Sequence, residues 1–144
     1  MSAATAKRLT TAQAWAKLNS LEDKDMTGSV IRMARVAAND YSPTFLQGMA
    51  DRMAVSHFKY GDVKKAYGKR VESPLDALAT LKKCLDAYAV DGNTEHLMDG
   101  ANYLMIEFME PLHPDAHFTP TDAGESVGRV KQSGAVTFKK NADL

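Results

Sequence analysis

"SPLDALATLKKCLDAYAVDGNTEHLMDGANYLMIEFMEP", residues 73–111, decides the fold, because it holds two helix starts and two helix stops. Ser73 before Pro74 reads as an N-cap followed by proline at the first helical position, where its missing N–H removes no helical bond. Leu75, Leu78, Leu81, Leu85 and Tyr88 then recur at helical spacing, with Lys82, Lys83 and Asp86 turned toward water. Gly92 ends this first helix, since glycine takes the left-handed conformation that closes many helices. Asn93 caps a second helix, which stops at Pro111. Its two apolar lines, Leu97, Ala101, Leu104 and Phe108 beside Met98, Met105 and Met109, wrap most of its circumference. A connection this short makes neighbouring helices antiparallel. The stretch predicts a helical hairpin over 73–90 and 93–110, with the second helix central to a bundle.

Upstream, Ser42-Pro43 repeats the same starting device. It opens a helix through Phe45, Met49 and Met53 to about Tyr60, stopping near Gly61. Thr10 with Gln13 three residues later resembles a capping box that opens a short helix through Trp15 and Leu18. Between them, residues 28–40 place Ile31, Ala34 and Ala38 at helical spacing; helix is favoured there, although the β-branched start also allows a strand. Downstream of Pro111, residues 112–144 carry prolines and glycines without sustained periodicity and read as an irregular arm packed on the bundle. The fold class is therefore all-α: a mobile N-terminus over 1–9, a helical domain over 10–110, and an arm over 111–144 with a mobile end.

A chain of 144 residues fits one domain. No apolar run approaches the roughly 18 residues needed to cross a membrane, and MSAATAKRLTTAQ at the N-terminus lacks the apolar core of a secretory signal. Cys84 is the one cysteine and forms no intramolecular disulfide, which suits a reducing compartment. Lysine plus arginine and aspartate plus glutamate number 18 each, so no global field recruits nucleic acid or an anionic membrane. The expectation is a cytoplasmic protein with no membrane partner, in which any phosphate site is local.

Three groups of residues could carry chemistry. Glu95 and Asp99 are one turn apart, with Asn102 three residues further, so all lie near one face of the last helix. Magnesium takes oxygen ligands of this kind, yet acidic side chains in a first turn are also favoured by the helix dipole alone, and Asn102 could equally bond to a neighbouring helix. Lys59 and Tyr60 begin the one locally basic region, which continues through Lys64, Lys65, Lys69 and Arg70; it could hold a nucleotide by charge and stacking, or be a solvated linker. His113, Asp115 and His117 alternate potential ligands in a proline-bearing stretch that fixes no common face. They read as loop, with the rings bonded to backbone or water. No serine has a base and orienter in reach, and no residue stands out as catalytic.

The Lys59-Tyr60-Gly61 step, the leucine helix and then GNTEHLMDGANYLMIEFM together resemble the all-α nucleotide pyrophosphohydrolase superfamily, which includes MazG-like proteins and dimeric dUTPases. Its phage-associated dATP/dGTP diphosphohydrolase-like branch has a similar layout, with a Lys-Tyr-Gly step and a later His-Leu…Ala…Asn helix that is matched by His96, Leu97, Ala101 and Asn102. It covers about residues 43–110, and the whole chain is also similar to small proteins of actinobacterial phages and prophages. The resemblance implies a helical bundle, often dimeric or tetrameric, in which magnesium on helix carboxylates helps to cut a nucleoside triphosphate to monophosphate and pyrophosphate. Carried over, Glu95 and Asp99 are metal ligands, Asp51 or Asp76 could complete the set, Lys59 points to phosphate, and Tyr60 and Asn102 sit near the nucleotide. The family's earlier EExxE cluster is missing, for the helix of residues 43–60 offers Asp51 alone. The alternative is a non-enzymatic helical phage protein that binds a host or virion protein, with eight methionines giving adaptable apolar surface.

Overall fold

The computed structural model describes residues 8–22, 39–121 and 127–140. The helix expected over 28–40 lies almost wholly outside them, as do most of the N-terminus and the last four residues. The fold is all-α, with helices α1 (Thr11–Asn19), α2 (Pro43–Tyr60), α3 (Ala77–Asp91) and α4 (Glu95–Met109). The chain falls into two compact units, residues 1–65 and 66–144.

In the first unit α1 packs on α2. The capping box at Thr10 forms as the sequence predicts. The Gln13 N–H donates to Thr10 Oγ1 at 3.2 Å, and the Thr10 N–H donates to Gln13 Oε1 at 2.8 Å. At the start of α2 the Phe45 N–H donates to Ser42 Oγ at 3.1 Å, with Pro43 in the first turn. Gly61 closes α2 at φ 84°, a conformation that side-chain-bearing residues rarely adopt. Ala14, Leu18 and Val55 are buried together, and Trp15, Leu21, Ala54 and Phe58 pack around them.

The second unit is the helical hairpin, α3 against α4. Its first helix starts later than Ser73-Pro74 predicts. Asp76 is the N-cap, accepting the Ala79 N–H at 2.9 Å, while the Leu75 N–H donates to the Ala66 carbonyl at 2.8 Å. Aspartate and serine are about equally good caps. The Leu75–Ala66 bond and the Tyr67–Leu75 bridge hold residues 73–75 outside the helix and leave the capping to Asp76.

Gly92 closes α3 in the left-handed conformation, as the sequence predicts, with its N–H on the Tyr88 carbonyl. Asn93 does supply the capping oxygen, but one residue before the expected geometry: its Oδ1 accepts the Glu95 N–H at 3.1 Å, and Thr94 has no side-chain cap bond.

Burial departs further from the apolar pattern. In α4 the buried positions are Gly100, Asn102 and Ile106, whereas Leu104 is 53% exposed and Phe108 is 80% exposed. In α3 Ala77 is buried, and Leu78 and Leu85 are exposed. Gly100 explains the close approach, since a methyl there would come within 3.0 Å of Leu81 Cδ1 and 3.7 Å of Cys84 Cβ. Leu81 and Cys84 thus meet α4 at Gly100, while Leu78, Leu85, Leu104 and Phe108 remain exposed.

Beyond Pro111 the described residues form no helix or strand, in agreement with an irregular arm. The arm returns to α3 near its end: the Lys139 N–H donates to the Ala89 carbonyl at 2.9 Å, and the Phe138 ring meets Tyr88 edge-on at 6.1 Å.

Candidate functional site

In residues 1–65 the chemistry gathers at the end of α2. Lys59 Nζ donates to Thr11 Oγ1 at 2.8 Å, tying the last turn of α2 to the first residue of α1. An ammonium carries three donors, so this bond leaves further hydrogens to offer an anion. Tyr60, the next residue, is 62% exposed. Two cations lie over its ring, Lys59 Nζ at 5.0 Å and the Arg8 guanidinium carbon at 5.7 Å from the centroid, within the range of cation–π attraction. Lys17 Nζ sits 4.6 Å from the Phe58 centroid, and Lys64 and Lys65 follow in a 3₁₀ turn. The result is an aromatic surface with positive charge beside it. Asp51, also on α2, has its Oδ1 engaged by Gln47 Nε2 at 2.9 Å.

In residues 66–144 the sequence-predicted residues follow the first two turns of α4. Glu95 is exposed, Asp99 is half-buried and Asn102 is only 6% exposed. One turn on from Asp99 lies Tyr103, whose hydroxyl is pushed up to about 12, first by burial and then by Tyr67, Cys84 and Asp99 around it. Tyr67 is hydrogen-bonded to it, with ring centroids 6.4 Å apart; burial pushes Tyr67 up as well, and the bond from Tyr103 opposes that rise. Both phenols stay protonated through the physiological range and act as neutral hydrogen-bonding groups beside a carboxylate.

The turn between α3 and α4 forms a second polar knot. Asp91 accepts the Asn93 N–H at 2.8 Å, and its other oxygen meets His96 Nε2 at 2.9 Å. The Asn93 N–H, followed by His96, holds the Asp91 carboxyl below its ordinary value. His113 and His117 are engaged as the sequence predicts. His113 Nδ1 accepts the Asp115 N–H, and His117 Nδ1 meets the Asp115 carbonyl oxygen at 2.7 Å.

Glu95, Asp99 and Asn102 thus share a helix, and Lys59 and Tyr60 share a helix end. Among the described residues no group of three or more histidine, cysteine, aspartate or glutamate side chains could hold a metal ion. Glu95 and Asp99 have the donor chemistry for magnesium, which is commonly held by one or two carboxylates together with substrate phosphates. The pair therefore fits an ion that arrives with its phosphates better than one resident in a protein cage.

Sequence reasoning missed Arg8 and Thr11 beside α2, the Asp91–His96 pair, and Tyr67 beneath Tyr103. Only Asp91–His96 had a local signal, an aspartate and a histidine flanking Gly92-Asn93. The other partners are distant in sequence and meet only through helix packing.

No known protein family matches the chain, and no significant similarity links it to a curated protein or to a solved structure.

Proposed function

We propose that the chain binds a nucleoside triphosphate and is a MazG-like, magnesium-dependent nucleotide pyrophosphohydrolase or a degenerate, binding-only relative. The observation that carries this reading is the exposed Tyr60 ring with Lys59 and Arg8 beside it. An open aromatic face offers stacking to any base, worth about 1–3 kcal/mol per base where such contacts have been removed. Neighbouring ammonium and guanidinium groups supply charge-assisted hydrogen bonds to phosphate. Lys59 takes phosphate and Tyr60 the base.

On α4, Glu95 and Asp99 are the residues assigned to magnesium. When bound, that ion would neutralise charge on the departing pyrophosphate as water adds at the α-phosphorus and the monophosphate is released. The missing EExxE cluster and the absence of a three-ligand group among the described residues favour the binding-only form over the catalytic one.

A panel of nucleoside triphosphates with magnesium tests both forms. Pyrophosphate release supports the enzyme. A nucleotide-dependent rise in melting temperature without release supports the binding-only relative, and Tyr60→Ala should then weaken binding at least about tenfold. Neither release nor a rise in melting temperature would sink the reading altogether. The remaining reading, a non-enzymatic protein that binds a host or virion partner, is favoured by the apolar surface that α3 and α4 leave open.

A further inference from the structure

Charge is unevenly shared between the two units of the chain. Residues 1–65 hold ten lysines and arginines against six aspartates and glutamates, whereas residues 66–144 hold eight against twelve. The chain is neutral as a whole, yet its first unit carries a net charge of +4 and its second a net charge of −4. Asymmetry of this kind points to a polyanionic partner for the basic part.

The cations of the first unit follow α1 and the end of α2. Arg8 stands before α1 and lies over Tyr60, Lys59 bonds to Thr11 at the first residue of α1, and Lys17 lies over Phe58 from the last turn. Lys64 and Lys65 come next along the chain, in the 3₁₀ turn after Gly61. Arg8, Lys17, Lys64 and Lys65 are exposed, and among the described residues neither they nor Lys59 pair with a carboxylate. Asp62 is the one acid between Tyr60 and Lys65, and its Oδ1 accepts the Lys64 N–H at 3.2 Å. Thr11 and Lys17 are six residues apart, about 9 Å along a helix. In stacked geometry the phosphates of one strand advance about 3.4 Å per nucleotide, so the row matches about three nucleotides in succession.

We propose that the α1–α2 pair is a binding surface for single-stranded nucleic acid, in which Tyr60 stacks on a base and Arg8, Lys59, Lys17 and the Lys64–Lys65 turn hold successive phosphates. An open aromatic ring with cations that track a backbone is how single strands are held without sequence preference, since every base has a face to stack. A duplex keeps its bases inside and offers Tyr60 nothing to stack on. An anionic membrane would need a broad apolar face beside the cations, and among the described residues of 1–65 only Tyr41 and Tyr60 are exposed large apolar side chains.

Stacking on Tyr60 is shared with the nucleotide reading; Lys17, Lys64 and Lys65 are not, and they separate the two. Fluorescence anisotropy of the full-length chain tests the proposal, with a labelled oligothymidylate of about twelve nucleotides beside a labelled nucleoside triphosphate with magnesium. The oligonucleotide should bind at least tenfold more tightly than the triphosphate. With about three phosphates engaged, its affinity should fall about twentyfold from about 50 to about 200 mM salt. Lys17→Gln should weaken the oligonucleotide at least threefold, reduce its salt slope and leave the triphosphate unchanged, whereas Tyr60→Ala should weaken both. An oligonucleotide held no more tightly than the triphosphate overturns the proposal and leaves the nucleotide reading standing; oligonucleotide binding without triphosphate binding does the reverse. Binding unchanged in both Tyr60→Ala and Lys17→Gln overturns it by placing the strand elsewhere. Capture by phosphatidylserine vesicles with no binding of the oligonucleotide overturns it in favour of a lipid surface. Should Tyr60→Ala fail to fold, Arg8→Gln, outside the helices, supplies a second variant: it should weaken the oligonucleotide at least threefold, and an unchanged affinity counts against the proposal.

Discussion

The α1–α2 pair and the α3–α4 hairpin solve the same problem in opposite ways. The first buries its larger apolar side chains from a weak pattern: Leu18 and Val55 are covered, and Trp15 and Phe58 pack around them. The second has the longer and more regular apolar lines, yet it buries Ala77, Gly100, Asn102 and Ile106 and leaves Leu78, Leu85, Leu104 and Phe108 exposed. Periodicity marks a face that must be covered; it does not say by what. In the hairpin Leu78, Leu85, Leu104 and Phe108 stay exposed, and the approach of Leu81 and Cys84 to Gly100 marks where the helices meet.

Shortening one side chain from each kind of position separates the buried set from the exposed one. Ile106→Ala, at a position of α4 that is 4% exposed, should cost about 2–4 kcal/mol in denaturant unfolding, and Leu18→Ala about as much in the other pair. Phe108→Ala, at an 80% exposed position, should change stability by no more than about 0.5 kcal/mol. Equal losses at Phe108 and Ile106 would mean that the apolar line is core after all.

A smaller effect is expected at Gly68, which joins the loop before α3 to the end of α4. Its φ is 96°, and a methyl group there would lie 2.8 Å from Glu110 Oε2. Gly68→Ala should therefore destabilise the hairpin by about 1–3 kcal/mol, through backbone strain and the displaced carboxylate. Gly61→Ala, with the same sign of φ but open space around it, should cost less.

Alkaline titration probes the buried side of the hairpin. Tyr103 is raised to about 12 from an ordinary value of 10.0, so the folded state retains its proton where the unfolded chain loses it. That contribution is complete below pH 10 and disappears as pH climbs toward about 12. Thermal midpoints should fall across this window, and Tyr103→Phe should flatten the fall. An unchanged alkaline slope in the variant would show that Tyr103 is not the group responsible.

The mildest effect belongs to the exposed turn. The Asp91 carboxyl is depressed, so its support is present above the ordinary aspartate value and is lost as pH drops through the lower folded value. Acidification should weaken the α3–α4 turn slightly, and Asp91→Asn should remove the acid dependence at that site. Added salt should shrink the effect, because the group is exposed.

Local devices were legible in the sequence. Thr10 with Gln13, Ser42-Pro43, Gly61 and Gly92 each act within a few residues and each forms as read. Ser73-Pro74 was legible as a signal but lost to Asp76, because the Leu75–Ala66 bond depends on a loop that the cap rules do not see. The candidate site was legible as residue types on shared helices, Lys59 beside Tyr60 and Glu95 before Asp99. Arg8 over Tyr60 and Tyr67 on Tyr103 were not, since their spacing follows from how helices pack. Nor could the pattern reveal that Leu104 and Phe108 face outward, for core and interface are built from the same apolar periodicity.

The exposed Tyr60 ring, with Lys59 and Arg8 beside it, is the surface assigned to a nucleotide. The direct measurement is the thermal midpoint of the full-length chain with and without a nucleoside triphosphate and magnesium, because a ligand that binds only the folded state raises the midpoint. The midpoint should climb with nucleotide in the native chain and stay nearly level in Tyr60→Ala. A native midpoint that does not move with nucleotide would contradict the assignment.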